Sequence, residues 1–286
     1  MAKRRAQRIE TYIAHKSTKK TASARAIQSA YKIEVRFLGG LTTAQKNAFK
    51  KAADRWSRAI VGDLPSVMVG GEVIDDLLIE AQGVAIDGVG RILGQAGPTN
   101  LRPVSAGTSA LLPAKGIMSF DSADLANMEA DGTLVDVIAH EMGHVIGIGT
   151  IWEDKGLLLG AGTANPRFTG TNAKRVYGQL RGTGPTPVPV ENIGGAGTRD
   201  GHWRESVFKN ELMSGFISEA NNPLSRLTIA SLQDLGYRVN LSAAEAFSLP
   251  NLQLLAERGL MVTTAPHAHA LPILAPKVLP PESLNV

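Results

Sequence analysis

A five-residue segment, His140-Glu-Met-Gly-His144, most constrains how this chain folds. Its flanks predict a helix from about Thr133, with an apolar stripe of Leu134, Val137, Ile138, Val145 and Ile148. Residues four apart lie on one face of a helix, so the imidazoles of His140 and His144 can converge on one ion. Glu141 is rotated by about 100° from His140 and projects beside that ion. We therefore expect two metal ligands and, in Glu141, a general base for metal-activated water.

The absence of cysteine narrows the metal chemistry. None of the 286 residues is Cys, which excludes disulfides, thiolate nucleophiles and Cys-ligated metal sites. A metal ion must therefore be held by His and carboxylate side chains. A catalytic zinc site needs three protein ligands and an open position for water. The next histidine along the chain is His202, which we expect to be the third ligand.

Two further features follow the helix. Gly147 lies three residues past His144 and permits the helix to end and the chain to turn away. The pattern His-Glu-x-x-His-x-x-Gly is the front half of the metzincin signature, although Thr150 occupies the usual position of the third histidine. Eleven residues after His202, Met213 lies in Glu-Leu-Met-Ser-Gly, which has the form of a Met-turn.

In this order the motifs resemble the leishmanolysin-like metzincin proteases, closest to the compact bacterial-type members. In that family a long insertion separates the Gly from the third ligand. The later motifs here are His202-Trp203, Glu211-Leu212-Met213 and Gln233-Asp234-Leu235-Gly236. The resemblance covers roughly residues 31–240. It implies a zinc endopeptidase for protein or peptide substrates, with Zn²⁺ on His140, His144 and His202, Glu141 as the base and Met213 supporting the site.

The chain departs from the family pattern in two respects. Leishmanolysin itself is rich in disulfides, whereas this chain has no Cys and cannot use a Cys switch for latency. Some metzincins place a tyrosine two residues after the Met, but Gly215 stands there, so a tyrosine ligand is not expected from that position.

We predict an α+β fold with one metzincin-like catalytic domain over residues 31–264. An N-terminal part should combine a twisted sheet with a backing helix over 43–61 and the active-site helix over 133–147. A mostly irregular C-terminal part should supply His202, the Met-turn and a helix over 228–235. Residues 148–201 form a Gly- and Pro-rich insertion that we expect to be loop-dominated. By family analogy, an extended substrate would pair with an edge strand near 116–120.

The basic charge is concentrated at the N-terminus. Residues 1–30 contain eight Lys or Arg and one acidic residue, and we predict a disordered leader there. Contact with nucleic acid is expected only as non-specific binding by this leader. The Pro-rich residues 265–286 should form an extended tail. The sequence contains no run of 18 or more apolar residues, so we predict no membrane-spanning helix. The basic N-terminal segment also lacks the apolar core of a signal peptide, and we therefore expect export by a non-classical route.

Plainer interpretations compete at several positions. His140 and His144 could be an ordinary pair on an amphipathic helix, and Met213 could be core packing. Asp136, one turn before His140, is either a partner of that ligand or, as we expect, an exposed carboxylate. The remaining candidates are weaker: two carboxylates are too few to indicate a Ca²⁺ site at Asp121 and Asp124, and we expect solvated histidines at His15, His267 and His269.

Two other functions remain open from the residues alone. The first is a non-catalytic binding or structural protein, virion- or surface-associated, that retains the metzincin fold. The second is a zinc hydrolase that acts on something other than peptides, because the motif determines the water chemistry better than the substrate.

Overall fold

The computed structural model describes residues 9–15, 31–86, 88, 90, 94–195, 197–217, 220–251 and 275–286. Its helices are α1 (Thr43–Ala59), α2 (Ser122–Asp131), α3 (Leu134–Ile146), α4 (Thr171–Arg181), α5 (Glu205–Phe208) and α6 (Arg226–Leu235). Its strands are β1 (Glu10–Ala14), β2 (Ile33–Gly39), β3 (Val67–Val69), β4 (Glu72–Ile74), β5 (Leu77–Val84), β6 (Gly94–Leu101), β7 (Pro113–Asp121), β8 (Leu158–Leu159), β9 (Arg167–Phe168), β10 (Val188–Pro189) and β11 (Lys277–Val278). The predicted α+β class is confirmed. No helix within these ranges has the length and apolar character needed to cross a membrane.

One six-stranded sheet organises the N-terminal half, in the order β1-β2-β5-β7-β6-β11. Strands β2, β5 and β7 run parallel, whereas β6 is antiparallel to β7. The strand predicted near 116–120 is β7, but the prediction that it lies at an edge is wrong. β7 pairs with β5 on one side and with β6, from Gly94 to Leu101, on the other. Within the described part of the chain, β11 pairs with β6 at Asn100 and Leu101 alone, so β6 forms the edge of the described sheet beyond that pairing.

The backing helix α1 begins with a capping box, in which Thr42 and Gln45 satisfy each other's backbone N–H groups. Its apolar side contributes Phe49, whose ring makes edge-to-face contacts with Phe37 on β2 and Phe120 on β7. These contacts place α1 on the sheet through aromatic side chains from two different strands.

Helix α3 packs against α1 through two polar contacts as well as apolar ones. The buried Trp56 indole donates to the Ala139 carbonyl oxygen at 2.8 Å. Arg55 forms an ion pair with Asp136 at 3.0 Å, and Asp136 also accepts the backbone N–H of Asn221. The expectation that Asp136 is exposed is therefore wrong. Its carboxylate is covered by the Arg55 guanidinium and by the loop at Asn221, both of which are far from it in sequence.

Both termini contribute to the sheet. The predicted disordered leader is wrong for Glu10–Ala14, which forms β1 and pairs antiparallel with β2. Tyr12 donates to Asp54 on α1 at 2.8 Å, which fixes the strand against the helix. At the other end, β11 pairs with β6 and Leu279 is buried, so the predicted extended tail docks on the body. Residues 1–8, 16–30 and 265–274 lie outside the described residues.

The insertion contains more structure than predicted. Strands β8, β9 and β10 form a small antiparallel sheet, and α4 packs against α6. Asp234 of α6 accepts the backbone N–H groups of Asn172 and Ala173, both at 2.9 Å, and so caps the N-terminus of α4. A Cβ on Gly170 would lie 2.3 Å from the Asp234 carboxylate, so a glycine is required there. The insertion consists mostly of turns and loops, as predicted. The helix α4 was not predicted, because it is stabilised from a remote part of the chain.

Asp234→Ala should lower the free energy of unfolding by about 1–2 kcal/mol, because two helix N–H groups lose a charged acceptor. Urea unfolding followed by circular dichroism measures the change. The exposed neighbour Gln233→Ala is the matched control and should leave the midpoint near that of the wild type. Equal midpoints for the two variants would contradict the capping role.

Candidate metal centre

The geometry of the site starts with α3, which carries His140, Glu141 and His144. The helix ends at Ile146, and Gly147 adopts a left-handed φ of 116° that turns the chain away. Two residues later, Gly149 also has a positive φ, and a Cβ there would lie 2.0 Å from the Gly201 carbonyl oxygen. This close approach lets the segment that carries the third histidine pass directly beside the end of α3.

The three predicted histidines meet at one point. The Nε2 atoms of His140 and His144 lie 3.1 Å apart. The Nε2 atom of His202 lies 3.0 Å from that of His140 and 2.9 Å from that of His144. All three side chains are buried. Residue 202 is 58 positions after His144, so the long insertion returns its histidine to the helix that begins the site.

Hydrogen bonds on the far side of each ring determine which nitrogen carries the proton. The Nδ1 atom of His140 lies 2.7 Å from the Leu212 carbonyl oxygen. Those of His144 and His202 lie 2.8 Å from the carbonyl oxygens of Ile148 and Thr198. A carbonyl oxygen only accepts, so each Nδ1–H must donate. Each neutral ring therefore directs a bare Nε2 lone pair into the triangle.

Three lone pairs that face one another across about 3 Å repel unless a cation lies among them. The triangle is small enough for one ion to lie within the ~2.0–2.1 Å Zn–N bonding distance of all three nitrogens. Burial lowers the pKa of His144 to about 4, which keeps the ring neutral, as a metal ligand must be. The donor set, its protonation and its spacing therefore fit a zinc ion.

Glu141 lies in the same dry environment. Its carboxyl group is buried, and burial raises its pKa to about 8. The Oε2 atom has no hydrogen-bond partner among the residues that the structure describes. A buried carboxylate oxygen without a donor is costly, and a water molecule on the ion would supply the missing donor. This arrangement suits a group that accepts and returns a proton.

A tight turn lies beneath the histidines. The Ser214 N–H donates to the Glu211 carbonyl oxygen at 3.0 Å and closes the turn that carries Met213. The Met213 side chain packs directly on α3, because a Cβ on Gly143 would lie 2.6 Å from its Sδ atom. The Trp203 N–H donates to the Met213 carbonyl oxygen at 2.9 Å, which ties the turn to the segment after His202.

Other predicted positions lie elsewhere. Asp121 accepts backbone N–H groups from Ile86 and Gly88, and Asp124 accepts one from Gly90. These carboxylates therefore fasten a neighbouring loop. His15 is exposed, whereas residues 267 and 269 lie outside the described part of the chain.

Sequence reasoning missed one buried acidic residue near the site, Glu211. It accepts four hydrogen bonds in the interior beside the Met213 turn. The pattern that could have indicated its burial is an acidic residue directly before the apolar pair Leu212-Met213 in a predicted turn.

Gly143→Ala should destabilise the protein, although alanine normally stabilises a helix by about 1 kcal/mol relative to glycine. The added methyl group would collide with Met213. The penalty should shrink in a Met213→Ala background, because the collision partner is then absent. A double-mutant cycle of chemical unfolding measures this coupling, and additive effects would show that the two side chains do not interact.

Part of this sequence is similar to known proteins. The sequence profile of the leishmanolysin family matches residues 106–253, just over half of the chain. A leishmanolysin homolog from Crithidia fasciculata is 28% identical over 158 residues, which covers 46% of this chain and 21% of that protein. The chain thus spans about a fifth of the length of this curated relative. The matched region contains the three histidines, Glu141 and Met213, and the chain belongs to the leishmanolysin family of zinc metalloproteases.

Proposed function

We propose that this chain is a zinc endopeptidase in which His140, His144 and His202 bind one Zn²⁺ and Glu141 is the general base. The observation that carries the proposal is the convergence of three unprotonated Nε2 atoms within 2.9–3.1 Å, with the buried Glu141 next to His140 on the same helix. Structural zinc sites use four protein ligands, whereas three ligands leave a position for water and substrate. The arrangement is that of a catalytic centre.

The roles of the residues follow from their surroundings. Bound Zn²⁺ would supply Lewis acidity, which lowers the pKa of water and polarises the scissile carbonyl group. Glu141 accepts the proton of the attacking water and returns it to the leaving amine nitrogen. Its buried position keeps bulk water from competing for that proton. Met213 is the Met-turn residue: it packs against α3 at Gly143, supports the helix that carries two of the histidines, and takes no part in the chemistry.

For the substrate, we propose an extended peptide that adds to the sheet at β6. Among the described residues, no strand pairs with the outer side of β6 along Gly94–Pro98, and β6 also packs against α3, which carries the site. Main-chain hydrogen bonds to an edge strand bind peptides without requiring a particular sequence. This location replaces the 116–120 segment inferred from sequence, since that strand has neighbours on both sides.

The non-catalytic alternative has less support. A protein that kept only the fold would not need a buried Glu141 whose Oε2 atom has no hydrogen-bond donor among the described residues. Nor would it need three histidines whose Nδ1 protons are all held by carbonyl oxygens. Retention of such a costly group is expected when it is used in a reaction.

Glu141→Ala should retain fold and zinc but lower kcat/KM for peptide cleavage by about 10²- to 10⁴-fold, because a positioned base is lost. Casein digestion and a fluorogenic peptide library measure cleavage, and elemental analysis measures zinc. The exposed Glu153→Ala is the matched control. Unchanged cleavage by the Glu141 variant would overturn the assigned mechanism, and wild-type protein that binds zinc without cleaving would favour the non-catalytic function.

His202→Ala should sharply reduce bound zinc, because two histidines cannot form a stable catalytic site. Zinc per protein chain after dialysis is the measurement, and the exposed His15→Ala is the matched control. A strong chelator should likewise abolish cleavage by the wild type, and added zinc should restore it. Unchanged zinc content in the His202 variant would mean that the third ligand is misassigned.

A further inference from the structure

The carboxyl group of Glu211 is fully buried next to the metal centre. Its Oε2 atom accepts the Met213 N–H at 2.6 Å. Its Oε1 atom accepts the Ser225 N–H at 3.1 Å, the Ser225 hydroxyl at 2.6 Å and the Thr228 hydroxyl at 2.5 Å. Burying an acidic group in a protein interior is expensive, and four donors aimed at one carboxyl group indicate that its position matters.

One branch of this network leads to His140. The Glu211 carboxylate holds the N–H of the Leu212–Met213 peptide. The carbonyl oxygen of that same peptide group, on Leu212, accepts the Nδ1–H of His140 at 2.7 Å. Because a peptide group is planar, fixing its N–H fixes the direction of its carbonyl oxygen. Glu211 is therefore connected to the ring of His140 through a single peptide group.

A second branch leads to the segment of His202. The Thr228 hydroxyl accepts the indole N–H of Trp203 at 2.8 Å, so its own proton is available for Glu211. The Trp203 ring is fully buried and stacks on Trp152, with ring centroids 4.7 Å apart. Through Thr228, the Glu211 carboxylate thus holds the residue that directly follows His202.

We propose that Glu211 is a positioning residue that orients His140 and His202 for metal binding through the Leu212–Met213 peptide and through Thr228 and Trp203. This inference deepens the proposed zinc site and rests on it. The remaining ligand, His144, lies outside this network, because its Nδ1–H donates to the carbonyl oxygen of Ile148, just past the end of its own helix. Groups that orient ligands in this way typically change metal affinity by about 10- to 100-fold when they are altered.

Three variants of the full chain separate positioning from stability. Glu211→Gln has the same shape, but its amide nitrogen donates and cannot accept all the bonds that the carboxylate does. Thr228→Val removes only the branch to Trp203. Ser225→Ala is the control for stability: it removes a 2.6 Å bond to the same Oε1 atom and the helix cap that Ser225 gives the Thr228 N–H, but it leaves the side chains of Glu211, Thr228 and Trp203 and the bonds between them in place.

Zinc affinity, measured by competition with a chromophoric chelator, should fall by about 10- to 100-fold in Glu211→Gln and by a smaller factor in Thr228→Val. The absorption bands of the Co²⁺-substituted protein should shift in both variants, because they report ligand geometry. Ser225→Ala should lower the urea midpoint but leave the affinity and the Co²⁺ spectrum unchanged. Equal affinity in all variants, or an equal loss in the Ser225 variant, would overturn the positioning role. If Glu211→Gln does not fold, Thr228→Val against Ser225→Ala decides the question.

Nitrogen-15 NMR of the metal-free protein separates this inference from the proposed function. The Nδ1–H signals of His140 and His202 should shift or broaden in Glu211→Gln, whereas that of His144 should persist as an internal reference. Wild-type protein that binds neither Zn²⁺ nor Co²⁺ would refute the proposed function alone. Unchanged ring signals in the variant would refute the role of Glu211.

Discussion

The site depends on hydrogen bonds that lie outside it. Each of the three imidazoles donates its Nδ1–H to a backbone carbonyl oxygen, which leaves three Nε2 lone pairs directed at one another. That arrangement is repulsive without a cation and favourable with one. Because the acceptors are backbone atoms in three different segments, the whole surrounding structure must hold its shape for the rings to converge.

The glycines show how the backbone brings these segments together. Gly149 allows the chain after α3 to touch the segment at Gly201, and Gly143 allows Met213 to pack on α3 without an intervening side chain. Each contact would be blocked by a single added carbon atom. The same close packing removes water from the ligands and from Glu141, which strengthens electrostatic interactions in the site.

The helical part of the site was predictable because its geometry is local. Two histidines four residues apart share a helix face in any context, and the glycine after them ends the helix wherever the helix occurs. His202 was predictable only from motif order, since no spacing rule connects residues separated by a long insertion. The role of Glu211 was missed, and Asp136 was wrongly expected to be exposed. Both carboxylates are held by contacts with remote backbone groups, which residue types alone do not reveal.

The sequence by itself determined the metal chemistry of this protein: without cysteine, any ion had to be held by histidine and carboxylate side chains, and two histidines and a glutamate lie on one helical turn. It also determined where α3 ends, because Gly147 adopts the left-handed conformation that closes the helix. Only the tertiary structure decided the strand order, the inclusion of Glu10–Ala14 in the sheet and the helix within the insertion. The physical reason is that local preferences act over a few residues, whereas strand pairing and burial depend on which distant segments meet and exclude water.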